Sequence, residues 1–115
     1  MANLSTPLTI KNTPLKNRVV FPAMLVCDFH IDDAKVNQEY IDHYNWLADS
    51  GVGMIIAGAV TVRPDGMMAP MQLGIWSDDF IEGLAKIPEI THKRDVPVLM
   101  LINHAGLNSV STDDP

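Results

Sequence analysis

A chain of 115 residues with 47% apolar and 19% charged residues has the length of one small domain and the balance of a globular one, not of a disordered segment. Its net charge of −6 argues against nucleic acid or an anionic membrane surface as a partner. Cys27 is the only cysteine, so no disulfide can close within the chain, which points to a reducing, cytoplasmic setting.

The opening Met-Ala-Asn-Leu-Ser-Thr-Pro lacks the basic and apolar regions of a signal peptide. Leu8-Thr9-Ile10 and Leu15-Lys16-Asn17-Arg18 flank Lys11-Asn12-Thr13-Pro14, whose Asn and Pro favour a turn, so a short β-hairpin is expected there. The first apolar run, Val19-Val20-Phe21, follows and ends at Pro22-Ala23-Met24.

A helix is predicted over about Asn37 to Ser50, with Asn37 as its N-cap and Gly51 as its left-handed stop. Tyr40, Ile41, Tyr44, Leu47 and Ala48 fall on one stripe at helical spacing. The second apolar run is Gly53 to Val60. A second helix is expected to begin near Ser77-Asp78-Asp79, where carboxylates favour the positive end of the dipole, and to bury Phe80, Ile81, Leu84 and Ile87. Pro88 removes a hydrogen bond and crowds the carbonyl of Leu84. Two outcomes are open there: a kink or break with a separate turn to Asp95, or a helix that ends at Ile87.

The third run is Pro97 to Ile102. Uninterrupted apolar runs, unlike alternating ones, belong to strands covered on both faces, as in a parallel sheet. All three are too short to span a bilayer. Strands alternating with amphipathic helices give an α/β class: a leading hairpin and about three βα units, within residues 1–115 and without an internal boundary. Three strands cannot close a parallel barrel, which needs eight.

Of the histidines, His30, His43 and His92 are read as solvated, and no pair has metal-ligand spacing, so no metal site is expected. His104, at the end of the third run, is read as hydrogen-bonding its neighbouring loop. Cys27 and the Met67-Met68-Ala69-Pro70-Met71 stretch are read as packing. No residue is assigned a catalytic role.

The stretch Leu15-Lys16-Asn17-Arg18-Val19-Val20-Phe21-Pro22-Ala23-Met24 resembles the opening strand of the Old Yellow Enzyme family. Gly53-Met54-Ile55-Ile56-Ala57-Gly58-Ala59-Val60 followed by Pro64-Asp65-Gly66 and Leu73-Gly74-Ile75-Trp76-Ser77-Asp78, and then Asn103-His104-Ala105-Gly106, agree in order and spacing. The resemblance covers essentially the whole chain. It implies the N-terminal, incomplete part of a (β/α)8 TIM barrel that binds FMN and uses NADH or NADPH as reductant. The implied reaction carries hydride through FMN to an activated alkene, a small-molecule substrate.

By the same resemblance Pro22, Ala23 and Met24 lie against the flavin, and Ala59 lets the ring approach the backbone. The chain departs from the family at Leu25, where a Cys or Thr is usual. Leu101 stands where a Gln reaches the flavin, and Met67 and Leu107 stand where Arg is common. Substrate-holding and phosphate-holding residues of the family come from later strands, so residues 1–115 alone are expected to be inactive and to pair with copies of themselves or with the rest of a barrel. A non-catalytic, self-associating scaffold is the alternative. Met24, Ala59 and His104 are expected to converge at the end where the chain leaves each strand.

Overall fold

The structure, a computed structural model, describes residues 1–26, 29 and 31–110. The readings of Cys27 and His30 lie outside the described residues. The chain runs β1 (Leu8–Ile10), β2 (Thr13–Leu15), β3 (Val20–Phe21), α1 (Gln38–Asp49), β4 (Met54–Thr61), β5 (Leu73–Gly74), α2 (Ile81–His92) and β6 (Val98–Asn103).

The hairpin forms with a tighter turn than the sequence suggested. Only Lys11 and Asn12 make the turn, Lys11 taking a left-handed φ of 52°, while Thr13 and Pro14 enter β2 opposite Ile10 and Thr9. Pro14 is tolerated because a two-stranded ribbon leaves every residue at an edge, where a missing N–H costs little. Ile10, Lys11 and Thr13 share a cleft with Met54, Pro97, Val98 and Leu99, so the hairpin crosses the ends where β4 and β6 begin.

Three strands of the main sheet are the expected parallel set. β3 pairs with the start of β4 (Val20 with Met54, Phe21 with Ile55), and β6 runs along its other edge from Ile55 with Val98 to Thr61 with Asn103. The fourth, β5, had no counterpart in the sequence reading. Its two residues pair with Val60 and Thr61, on the edge that β3 has already left. Neither its length nor its pattern marks it as a strand.

Gly53 accounts for the close entry into β4. Its N–H donates to the Val19 carbonyl at 2.8 Å, and a Cβ there would collide with the Asn17 carbonyl. The Asn17 side chain ties the same corner by donating to the Gly51 carbonyl at 2.7 Å.

α1 forms as its caps require. The Asn37 side chain accepts from the Tyr40 N–H at 3.1 Å, and Gly51 takes a φ of 90°. α2 starts as a 3-10 turn over Asp78–Phe80 and continues unbroken through Pro88 to His92. It neither ends at Ile87 nor gives way to a separate turn, because Ile87 and Thr91 are both fully buried and anchor the helix on either side of the missing hydrogen bond. Its buried stripe is Phe80, Leu84, Ile87 and Thr91. Ile81 is 61% exposed, since a residue one step from Phe80 lies about 100° around the helix.

Both helices cover one face of the sheet. Ile55, Ala57 and Val60 of β4 meet Tyr40, Tyr44 and Leu47 of α1 and Leu84 and Ile87 of α2 in one core. The opposite face carries Val20, Leu99 and Leu101, which are exposed. Among the described residues no helix is long and apolar enough to cross a membrane.

Candidate functional site

Because β3, β4 and β6 are parallel, the chain leaves all three at the same end of the sheet. Strand polarity puts Pro22–Met24 and His104 just past the exits of β3 and β6, while Ala59 lies within β4, two residues before its end at Thr61, and the exit of β3 is in register with Ile55. Pro22 is exposed, Ala23 half-buried and Met24 56% exposed. Between the pairs Ala57–Met100 and Val60–Ile102, β4 advances three residues while β6 advances two, so β4 carries a bulge that contains Gly58 and Ala59. Gly58 takes a φ of 125°, and a Cβ on it would lie 2.8 Å from the Leu101 carbonyl. Only glycine lets the two backbones approach this closely.

The loop after β4 folds over the same end. Arg63 donates to both carboxylate oxygens of Asp65, at 2.8 and 3.0 Å, and its guanidinium holds the Asp65 carboxyl below the usual carboxylate range. The ring of His104 packs on Gly66, where a Cβ would come within 2.6 Å of it. Its Nδ1 accepts from the Gly106 N–H at 3.0 Å, so the neutral ring carries its proton on Nε2, 3.7 Å from Asp65 Oδ1. The structural reading of His104 agrees with these contacts, as the Ala105 N–H also donates to the Gly66 carbonyl at 2.9 Å.

Sequence reasoning missed Gln72. Its side chain is fully buried and doubly bonded: Oε1 accepts from the Met68 N–H at 2.7 Å, and Nε2 donates to Asn103 Oδ1 at 2.6 Å. Its only local signal is a polar residue against an apolar run, and its partner lies 31 residues away. Thr61, equally buried, donates to the Arg63 carbonyl at 2.9 Å. Among the described residues no group of His, Cys, Asp and Glu could hold a metal ion.

His43 is not the solvated residue the sequence suggested. It is half-buried, with Phe21, Phe29 and Tyr44 edge-on to its ring and Trp46 stacked on it at 6.2 Å. The helix period sets α1's inner stripe, but β3 and the following loop bring two aromatics onto its flank. Burial lowers the His43 pKa from its ordinary 6.5 and pushes that of Tyr44 up to about 12. The unfolded chain then binds more protons than the native one as pH falls through 6.5, so stability is full above that value and declines below it. Denaturant titrations at pH 7.5 and 5.5 are expected to show this loss, and His43→Phe, which keeps the ring packing without the titration, to shrink it. An unchanged pH dependence in that variant counts against the assignment.

The exposed side of the sheet offers apolar side chains at Pro22, Met24 and Leu101, with the small, half-covered Ala59 in the β4 bulge. Uncharged and apolar, such groups could lie against one face of a flat heterocycle. They do not fit a phosphate: Arg63, at the end of β4, is committed to Asp65.

Residues 3–115 match the NADH:flavin oxidoreductase / NADH oxidase family. The chain is 40% identical over 103 residues to the NADPH dehydrogenase of Bacillus subtilis (strain 168), a match that covers 90% of this chain and 30% of that protein. It superposes on the crystal structure of TcOYE with pHBA at a TM-score of 0.82 and 30% identity, covering 93% of this chain and 28% of that one. The fold likeness extends to morphinone reductase in complex with tetrahydroNAD, with a TM-score of 0.83 at 23% identity, over 95% of this chain and 29% of that one. The architecture is that of the N-terminal part of a (β/α)8 Old Yellow Enzyme barrel, and the chain spans about 30% of the length of the curated relatives it matches.

Proposed function

The chain belongs to the NADH:flavin oxidoreductase / NADH oxidase family, and from that premise we propose that residues 1–115 are the N-terminal segment of an FMN-binding TIM-barrel oxidoreductase. Pro22, Ala23, Met24 and Ala59 hold one face of the flavin ring in this reading. When bound, FMN supplies the two-electron chemistry that passes hydride from NADH or NADPH to a small acceptor such as an activated alkene. The chain's own contribution is positional. The β4 bulge carries the small Ala59, Gly58 lets β4 and β6 approach closely, and Met24 offers exposed apolar surface for the ring to cover.

The observation that carries the reading is the 56% exposure of Met24 just past the exit of β3, with the half-covered Ala59 in the bulge of the neighbouring β4. Apolar surface at the C-terminal mouth of parallel strands is where such barrels bind their ligands. The single cysteine supports a cytoplasmic setting. The partners we propose are copies of this chain or the other strands of a barrel.

A graft tests the reading. Residues 1–115 put in place of the matching segment of the Bacillus subtilis NADPH dehydrogenase are expected to give a yellow protein, and Ala59→Leu to weaken flavin binding by roughly tenfold. A folded but colourless graft favours the alternative, a scaffold that only self-associates. Residues 1–115 by themselves are expected to leave gel filtration without stoichiometric FMN. Apolar stacking on four residues does not offset the entropy of immobilising the ligand, and one equivalent of flavin absorbance on the bare chain would overturn that expectation.

A further inference from the structure

The buried Gln72 fixes more than a loop. The Met68 backbone N–H can only donate, so the oxygen of the Gln72 amide must face it, and the nitrogen must face Asn103. Asn103 is therefore compelled to present Oδ1 inward. Its Nδ2, with two N–H donors, takes no partner among the described residues, and Asn103 is half-exposed. Asn103 closes β6 and lies on the same face as the exposed Leu101, two residues earlier. Its backbone is held as firmly, the carbonyl accepting from the Val62 N–H at 3.2 Å.

We propose that Gln72 is a positioning residue that fixes the amide of Asn103 so that Nδ2 is offered, pre-oriented, to a carbonyl oxygen bound at the strand ends. The inference rests on the flavin-platform reading above. The carbonyl belongs either to the pyrimidine edge of the flavin or to the acceptor substrate. Gln72 is required as an amide: a carboxylate at that place would keep the bond from Met68 but could donate nothing to Asn103. The Asn103 amide would then turn and donate Nδ2 to the carboxylate, consuming the donor that the ligand needs.

The test is a titration of the 15N-labelled graft described above, stripped of FMN, with lumiflavin and, separately, with cyclohex-2-enone, followed by nuclear magnetic resonance. The Asn103 side-chain amide pair is expected to shift saturably with one of the two probes, which identifies the source of the carbonyl. Asn103→Asp keeps an acceptor for Gln72 and removes the donor. It is expected to leave the Met68 amide protected from exchange while that probe binds roughly tenfold more weakly. Gln72→Glu is expected to lose the response to the same extent.

Unchanged binding in Asn103→Asp would overturn the proposal even if Gln72→Glu failed to fold. Shifts at Met24 and Ala59 with none at Asn103 would overturn it and leave the flavin-platform reading standing. No shift at any of these residues with either probe would overturn both.

Discussion

Replacing Ile87 by alanine is expected to destabilise the chain by about 2–5 kcal/mol, as large-to-small changes at buried aliphatic sites do. Ile87 is fully buried and sits where α2 meets β4 and α1 in the core, so the cavity has rigid walls and cannot collapse. The loss is a large share of the 5–15 kcal/mol that holds a typical domain. Ile81→Ala is the control: one helical face away and 61% exposed, it is expected to change stability by less than about 0.5 kcal/mol. Urea titrations of both variants at one protein concentration check this. Equal losses would mean that α2 is rotated from the orientation described.

Converting Leu99 and Leu101 together to lysine is expected to shift the chain from self-associated species to monomer, as read by sedimentation velocity. β6 pairs only with β4 among the described residues, so its outer edge presents unpaired backbone donors and acceptors. Leu99, Leu101 and Ile102 are 54%, 45% and 55% exposed, and each large apolar side chain left uncovered forgoes roughly 1.5–3 kcal/mol. Strand edge and apolar face together favour association of this chain with itself or with further barrel strands. Two lysines on the face put like charges across any such contact, while the core side of the sheet is untouched. A wild-type chain that sediments as a compact monomer at all concentrations would refute the association.

The contrast between the two positions in α2 shows how the sequence can mislead by one residue. Phe80 and Ile81 are both large and apolar, and the 3.6-residue period admits either as the start of the stripe. The register is decided by which of them packs into the core, where Phe80 lies buried against Trp76, and that is a fact about packing. Pro88 is a similar case. Its covalent chemistry argues for a stop, yet burial of Ile87 and Thr91 carries the helix past it. His43 went the same way, since its own helix predicts a solvated flank, and only the chain outside that helix supplies Phe21 and Phe29.

Features set within a turn or two of chain were legible from residue types alone. Asn37 and Gly51 bound α1 because capping is a contact between near neighbours. The three apolar runs form parallel strands, with helices over one face and an apolar face left exposed on the other, and the order of motifs at Pro22–Met24, Gly53–Val60 and Asn103–Gly106 is enough to place the family. What only the tertiary structure decided spans longer separations: β5 against Val60 and Thr61, the ring of His104 on Gly66, and the Gln72–Asn103 bond across 31 residues. A buried amide becomes a strut only when two segments meet, and neither segment carries a local signal that the other will arrive.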